Sequence, residues 1–158
     1  MRVPFTFAVQ PGTGRLFIND VGGHPNNDES VPQWEEINEG IAGANYGWPY
    51  VAGPATGPPY TSPVYSYGHG ETLTTGCAIT GAAFYNPKTA QYPSQYVGNY
   101  FFADYCSGWI DRMDANSTVT NFATGIAAPV SLEVGVDGSL YYLARDSGSV
   151  RKICYGHC

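Results

Sequence analysis

A turn glycine followed by a bulky strand occurs three times in this 158-residue chain. The copies are Gly14-Arg15-Leu16-Phe17-Ile18-Asn19-Asp20, Gly98-Asn99-Tyr100-Phe101-Phe102-Ala103-Asp104 and Gly138-Ser139-Leu140-Tyr141-Tyr142-Leu143-Ala144. The last two start 40 residues apart and the first two 84 apart, twice 42. A period of about 40 to 45 residues is that of a propeller blade built from four antiparallel strands. The copy expected near residue 56 falls in Gly53-Pro54-Ala55-Thr56-Gly57-Pro58-Pro59-Tyr60, a loop-like run that reads as an insertion or a connection between blades. The period predicts about three blades, with repeats near 4–50, 60–123 and 124–155, in a single partial propeller domain over 1–158. Closed propellers need roughly four to eight blades, so the expectation is an incomplete ring.

Composition agrees with an all-β chain of little or no helix. With 20 glycines and 12 prolines, breakers are too dense for long helices. Phe7-Ala8-Val9 and Leu132-Glu133-Val134 precede the first and third repeats across short glycine turns, and so predict hairpins. Only 13% of residues are charged and the net charge is -6, which excludes nucleic acid and anionic membrane surfaces as partners, because both require a basic face. No apolar run reaches the roughly 18 to 20 residues of a membrane helix, so no membrane insertion is expected.

Cys77, Cys106, Cys154 and Cys158 are even in number and lack zinc-site spacing, so they read as disulfides of an extracellular or periplasmic protein. Four cysteines allow three pairings. Asn116-Ser117-Thr118 is a glycosylation sequon on an apparent turn.

Six segments carry a family likeness: Pro4-Phe5-Thr6-Phe7-Ala8, Trp34-Glu35-Glu36-Ile37-Asn38, Asn45-Tyr46-Gly47-Trp48-Pro49, Tyr65-Ser66-Tyr67-Gly68-His69, Gly76-Cys77-Ala78-Ile79-Thr80-Gly81, and the run from Gly98 to Gly108. In wording and order they resemble the C-terminal half of the glucose/sorbosone dehydrogenase family, soluble sugar dehydrogenases that use pyrroloquinoline quinone (PQQ). The resemblance implies half of a six-bladed propeller, with PQQ and calcium in its mouth and an aldose oxidised at C1. It also implies that the catalytic histidine lies in the other half, and that Cys77 pairs with Cys106. Cys154 and Cys158 would then close a small C-terminal loop or link to another chain.

Carried over residue by residue, the likeness gives Arg2 a place near the cofactor, where a guanidinium suits a quinone carboxylate. Val3 stands where the family has asparagine. Glu35, Glu36 and the backbone of Tyr46 match a calcium-binding corner, since a hard cation takes oxygen ligands. The long polar stretch from Gly22 to Gln33 departs from the family's short loop. His69, in Tyr-Ser-Tyr-Gly-His, is a weak candidate base, set against a structural histidine. His24 and His157 carry less weight. Asp104 and Arg145 end equivalent strands and are expected to share a rim. Trp34, Trp48 and Trp109 suit either sugar stacking or packing between blades.

Two readings of function follow. One is a portion of a PQQ-dependent aldose dehydrogenase-like propeller, inactive until further blades complete it, whether from a second copy or from another chain. The other is a secreted structural or carbohydrate-binding protein that uses the same scaffold for assembly or glycan recognition.

Overall fold

A computed structural model of the chain describes residues 1–23, 32–55 and 57–156. His24, Asp28, Glu29, His157 and Cys158 lie outside the described residues. The chain is all-β: eleven strands form three antiparallel sheets, and a 3₁₀ turn at Ser94–Tyr96 is the only helical element among the described residues.

The first sheet runs β1 (Pro4–Val9), β2 (Leu16–Asp20), β3 (Trp34–Glu39), β4 (Tyr65–Gly68). The second runs β5 (Ile79–Phe84), β6 (Tyr100–Asp104), β7 (Trp109–Met113), β8 (Val119–Ala123). The third has β9 (Pro129–Val134), β10 (Leu140–Ala144) and β11 (Ser149–Ile153). Strands β1, β5 and β9 lie at the inner edge and neighbour one another from sheet to sheet. This is the up-and-down order of propeller blades around a hub.

The repeated glycines do what the period requires. Gly14, Gly98 and Gly138 all have positive φ (74°, 85° and 79°) and each precedes the second strand of its sheet. A left-handed turn residue there favours glycine, because a Cβ would be strained.

The 84-residue interval, however, is one enlarged blade and not two periods. Tyr65–Gly68 pairs with β3 and so closes the first sheet, although the repeat pattern puts it in a second one starting near 60. The Gly-Pro-rich run around 53–60 is an insertion between β3 and β4 of the same sheet.

Two apolar layers hold the sheets together. Phe17, Ile37, Tyr67, Ile79, Tyr100, Phe102 and Trp109 fill the space between the first and second sheets. Phe101, Ile110, Leu132, Leu140, Tyr85 and Tyr92 do so between the second and third. Successive residues of β6 thus feed opposite layers, as strand alternation demands. Polar ties cross the same interfaces. Asn19 Nδ2 donates to Gly81 O (2.6 Å), Tyr100 OH donates to Asn19 Oδ1 (2.7 Å), and Thr80 Oγ1 donates to Pro129 O (2.7 Å). Gly81 sits at a bulge with φ 57°, and a Cβ there would lie 2.7 Å from Leu132 Cγ, so the second and third sheets meet closely at this residue.

Phe102 is fully buried and its ring meets Tyr65, Tyr100 and Trp109. Phe102→Ala should therefore cost about 3–5 kcal/mol in urea unfolding.

Asp111 on β7 gives a pH signature. Burial pushes its carboxyl up from 3.8 to about 6, only partly offset by the hydrogen bond from Asn121 Nδ2 (2.8 Å). Because the folded pKa lies above the unfolded one, ionisation destabilises the fold. The penalty is absent below the unfolded value, grows through the interval and is complete above about pH 6. Asp111→Asn keeps the acceptor for Asn121. It should raise the melting temperature at about pH 8, and the gain should shrink toward zero at about pH 4. An equal gain at both pH values would refute this assignment.

Candidate functional site

At the inner edge of the arc the three sheets border an open cavity of about 410 Å³. Its apolar walls are Val3, Phe5, Val21, Ala78 and Val130; Thr80, Tyr105, Arg2 and Arg145 supply the polar groups. Arg2 leads into β1 of the first sheet, while Arg145 follows β10 of the third, so the fold brings together two cations 143 positions apart in the chain. Arg145 Nη1 donates to Tyr105 OH (2.7 Å), with its guanidinium carbon 5.7 Å from the ring centre, and Tyr105 OH donates weakly to Asp146 Oδ1 (3.4 Å). Arg2 Nη1 donates to Gly22 O (2.6 Å) and its guanidinium lies over Trp48 (5.8 Å). Both arginines are exposed side chains at the rim of an apolar-walled hollow. Such an arrangement suits a flat, anionic, partly apolar molecule. Tyr105 is the member that sequence reasoning does not single out; its place directly after Asp104, beyond a strand end, is the available signal.

Asp104 does not join this rim. It is fully buried, and its two oxygens accept five hydrogen bonds among the described residues: from the N–H groups of Cys77, Ala78, Cys106 and Ser107, and from Tyr67 OH, all at 2.8 to 3.0 Å. With its lone pairs so engaged it anchors backbone and has no reach toward a cofactor. Its neighbours Cys77 and Cys106 form a disulfide with Cα atoms 5.7 Å apart, which agrees with the pairing that the resemblance implies. Since both sulfurs are bonded to each other, the Cys77, Asp104 and Cys106 grouping offers no metal site.

Glu35 and Glu36 are separated. As successive residues of β3 they project to opposite faces. Glu35 turns toward the second sheet and accepts from Ile79 N (2.8 Å) and Gly22 N (3.2 Å), with His69 Nε2 at 2.7 Å. Burial raises its carboxyl, against the Ile79 and His69 contacts that lower it. His69 is thus paired with a buried carboxylate and is not among the residues that line the cavity.

Glu36 turns the other way, into a small crevice that it shares with Asp20, Tyr46, Trp34 and Trp48. It accepts from Gly53 N (2.6 Å) and Asn38 Nδ2 (3.1 Å), and burial raises its carboxyl, with nearby Asp20 adding to the effect. Of the proposed calcium corner, the structure therefore unites Glu36 with Tyr46 and leaves Glu35 out. The Tyr46 hydroxyl itself is bonded to Glu39 O and Ile41 N.

Trp109 is core, with Nε1 donating to Thr75 O (3.0 Å). Asn116 is exposed in the β7–β8 turn. No free cysteine exists among the described residues. No helix there is long and apolar enough to cross a membrane.

No family model and no curated protein matches the chain. Solved structures do. A glucose dehydrogenase of Thermus thermophilus superposes with a TM-score of 0.67 at 24% identity, over 92% of this chain and 43% of that one. The PQQ-bound aldose sugar dehydrogenase of Streptomyces coelicolor gives 0.64 at 21%, over 95% and 39%. The soluble aldose sugar dehydrogenase of Escherichia coli in its apo form gives 0.64 at 22%, over 92% and 42%.

The weight that Asp104 carries is measurable. Asp104→Ala would leave four backbone donors and a phenol without their acceptor, and should cost at least about 3 kcal/mol in urea unfolding. A loss under about 1 kcal/mol would mean that water replaces the carboxylate without penalty.

Proposed function

We propose that this chain supplies part of a PQQ-binding pocket in a sugar dehydrogenase-like propeller, a fold that its sheets share over about two fifths of the length of the solved chains. The observation that carries this reading is the convergence of Arg2 and Arg145 on one apolar-walled cavity of about 410 Å³.

The residues present fit the group. The Arg145 guanidinium, directed by Tyr105, matches a quinone carboxylate, Arg2 adds positive charge at the opposite rim while its Nη1 is held by Gly22 O, and Val3, Phe5 and Val130 give an apolar wall. When bound, PQQ would supply the hydride acceptor for C1 of an aldose. The chain's own task is to hold the cofactor and exclude water. No histidine or carboxylate is among the residues that line this cavity, so the chain by itself is expected to bind the quinone without turning over sugar. Calcium would sit at Glu36 and the backbone of Tyr46, the two members of the family corner that share a crevice. The Cys77–Cys106 disulfide supports export to an oxidising compartment, where the exposed Asn116 would be open to glycosylation.

A second reading, assembly, is favoured by the apolar stripe on the open face of the first sheet. Phe7 and Val9, which do not line the cavity, are 68% and 53% exposed on the inner strand. Such a surface is what blades present to one another, and another copy or a different chain would cover it.

Titrating the chain with PQQ and calcium while following quinone absorbance, then adding glucose and a dye, tests the first reading. Saturable binding that weakens at least tenfold in Arg145→Met supports it. Equal binding by Arg145→Met, or none by the wild type, removes it. Native mass measured in parallel tests assembly: a strictly monomeric chain at high concentration would argue against self-association.

A further inference from the structure

A second hollow, of about 340 Å³, opens at the outer edge of the arc between the second and third sheets, and it shares no lining residue with the cavity at the inner edge. Its walls come from β7 and β8 on one side and from the end of β11 on the other. Arg112 and Thr120 stand opposite each other on β7 and β8, in line with Phe101 of β6. Residues paired across a sheet share a face, and Phe101 belongs to the layer between the second and third sheets, so all three project toward the third sheet. A bulge adds Phe122 to the same side. The register shifts between the pairs Ile110–Ala123 and Asp111–Asn121, which leaves Phe122 unpaired, with its ring edge-on to Phe101 at 4.9 Å between centres. Bulges re-aim side chains in this way.

Three rings form one wall. Tyr96, from the 3₁₀ turn, lies 5.7 Å from Phe122 and 5.6 Å from Tyr155, and Tyr155 lies 5.9 Å from the buried Tyr92. Tyr155 is therefore held by its neighbours although 49% of it is exposed. The Arg112 guanidinium sits over Tyr96, 4.9 Å from the ring centre. Among the described residues its side chain makes one hydrogen bond, Nη1 to Asn99 Oδ1 (2.7 Å), and it enters none of the three ion pairs, Arg15–Glu39, His69–Glu35 and Lys152–Asp137. No carboxylate is among the residues that line the hollow. In a chain of net charge -6 this is a local positive pole with no acid set against it.

The lining selects a ligand by its chemistry. An exposed ring face takes a flat array of C–H groups, hydroxyls take a partner that both donates and accepts, and an unpaired guanidinium takes a carboxylate. A sugar meets the first two demands and a sugar acid meets all three. Arg112 repels a cation, and a purely aromatic acid leaves the hydroxyls of Thr120, Tyr96 and Tyr155 unanswered. We infer that Arg112, Tyr96 and Tyr155, with Phe122 and Thr120, form a binding site for a hexuronate unit of an acidic glycan, its carboxylate on Arg112 and its ring face against Tyr155. The volume lies at the lower end of the range for small-molecule sites. Both sheets that build the site belong to this chain, and it needs neither quinone nor calcium.

Calorimetric titration of the full chain without quinone tests this with three probes: a galacturonate trimer, its methyl ester, which keeps the rings and removes the charge, and benzoate. The acid is expected to bind saturably and to weaken as salt is raised, with the ester and benzoate each at least about tenfold weaker. Arg112→Gln should cost the acid at least about tenfold and leave the ester unchanged, and Arg112→Lys should recover part of the loss. Tyr155→Leu should weaken acid and ester alike several-fold, while Tyr155→Phe keeps the ring and should stay within about threefold of wild type. Variants are compared in samples whose circular dichroism matches wild type, and the contrast between acid and ester in the wild type needs no variant. No binding by wild type, equal affinity for acid and ester, benzoate as tight as the uronate, or wild-type affinity in Arg112→Gln would overturn the site. Displacement of the uronate by PQQ would move it to the inner cavity and overturn it as well. Uronate binding by a chain that takes up no PQQ would keep this inference while removing the quinone reading, and quinone binding without uronate binding would do the reverse.

Discussion

Residues 76–80, the approach to β5 and its first two residues, are held by side chains as well as by the ladder to β6. Asp104 takes the N–H groups of Cys77 and Ala78, Glu35 takes that of Ile79, Asn19 donates to the Thr80 carbonyl, and the Thr80 hydroxyl reaches Pro129. These partners come from all three sheets. A buried backbone group without a partner costs about as much as a lost hydrogen bond, so each of these buried polar residues is required by the path of the chain. Gly76 completes the constraint: a Cβ on it would fall 2.0 Å from Asp104 Oδ2, so backbone and carboxylate pack as one unit. From this segment Ala78 and Thr80 enter the cavity wall, and from the far side of the same carboxylate the chain turns into Tyr105, which directs Arg145. The rim is therefore as well defined as this one interior knot.

The same dependence explains which parts of the molecule are legible in the sequence. The glycines at 14, 98 and 138 can be read because their left-handed backbone leaves glycine as the residue without strain. The disulfide can be read through family likeness, though its spacing alone leaves three pairings. Asp104 misleads because a carboxylate at a strand end looks like a rim charge, and only the loop folding back over it reveals five donors. Glu35 and Glu36 group as a pair in the sequence even though strand alternation sends neighbours to opposite faces; motif likeness suggests a corner, and the pleat divides it.

The long first blade shows a different limit. A period counts residues and not strands, so 84 positions between repeated glycines is equally two short blades or one long one. Only pairing resolves it, and Trp34–Glu39 pairs with Tyr65–Gly68 across the insertion. Arg2 and Arg145 belong to a third category. Each stands out singly for its charge, but their convergence depends on the order of the sheets around the hub, which no local pattern encodes.

That insertion has a consequence for whatever lies beside the first blade. Gly53 packs against the indole of Trp34, close enough that a Cβ would meet the ring at 2.7 Å, and its N–H caps Glu36. The outer half of this sheet thus carries its own roof, folded from its own chain, while the inner strand is bare.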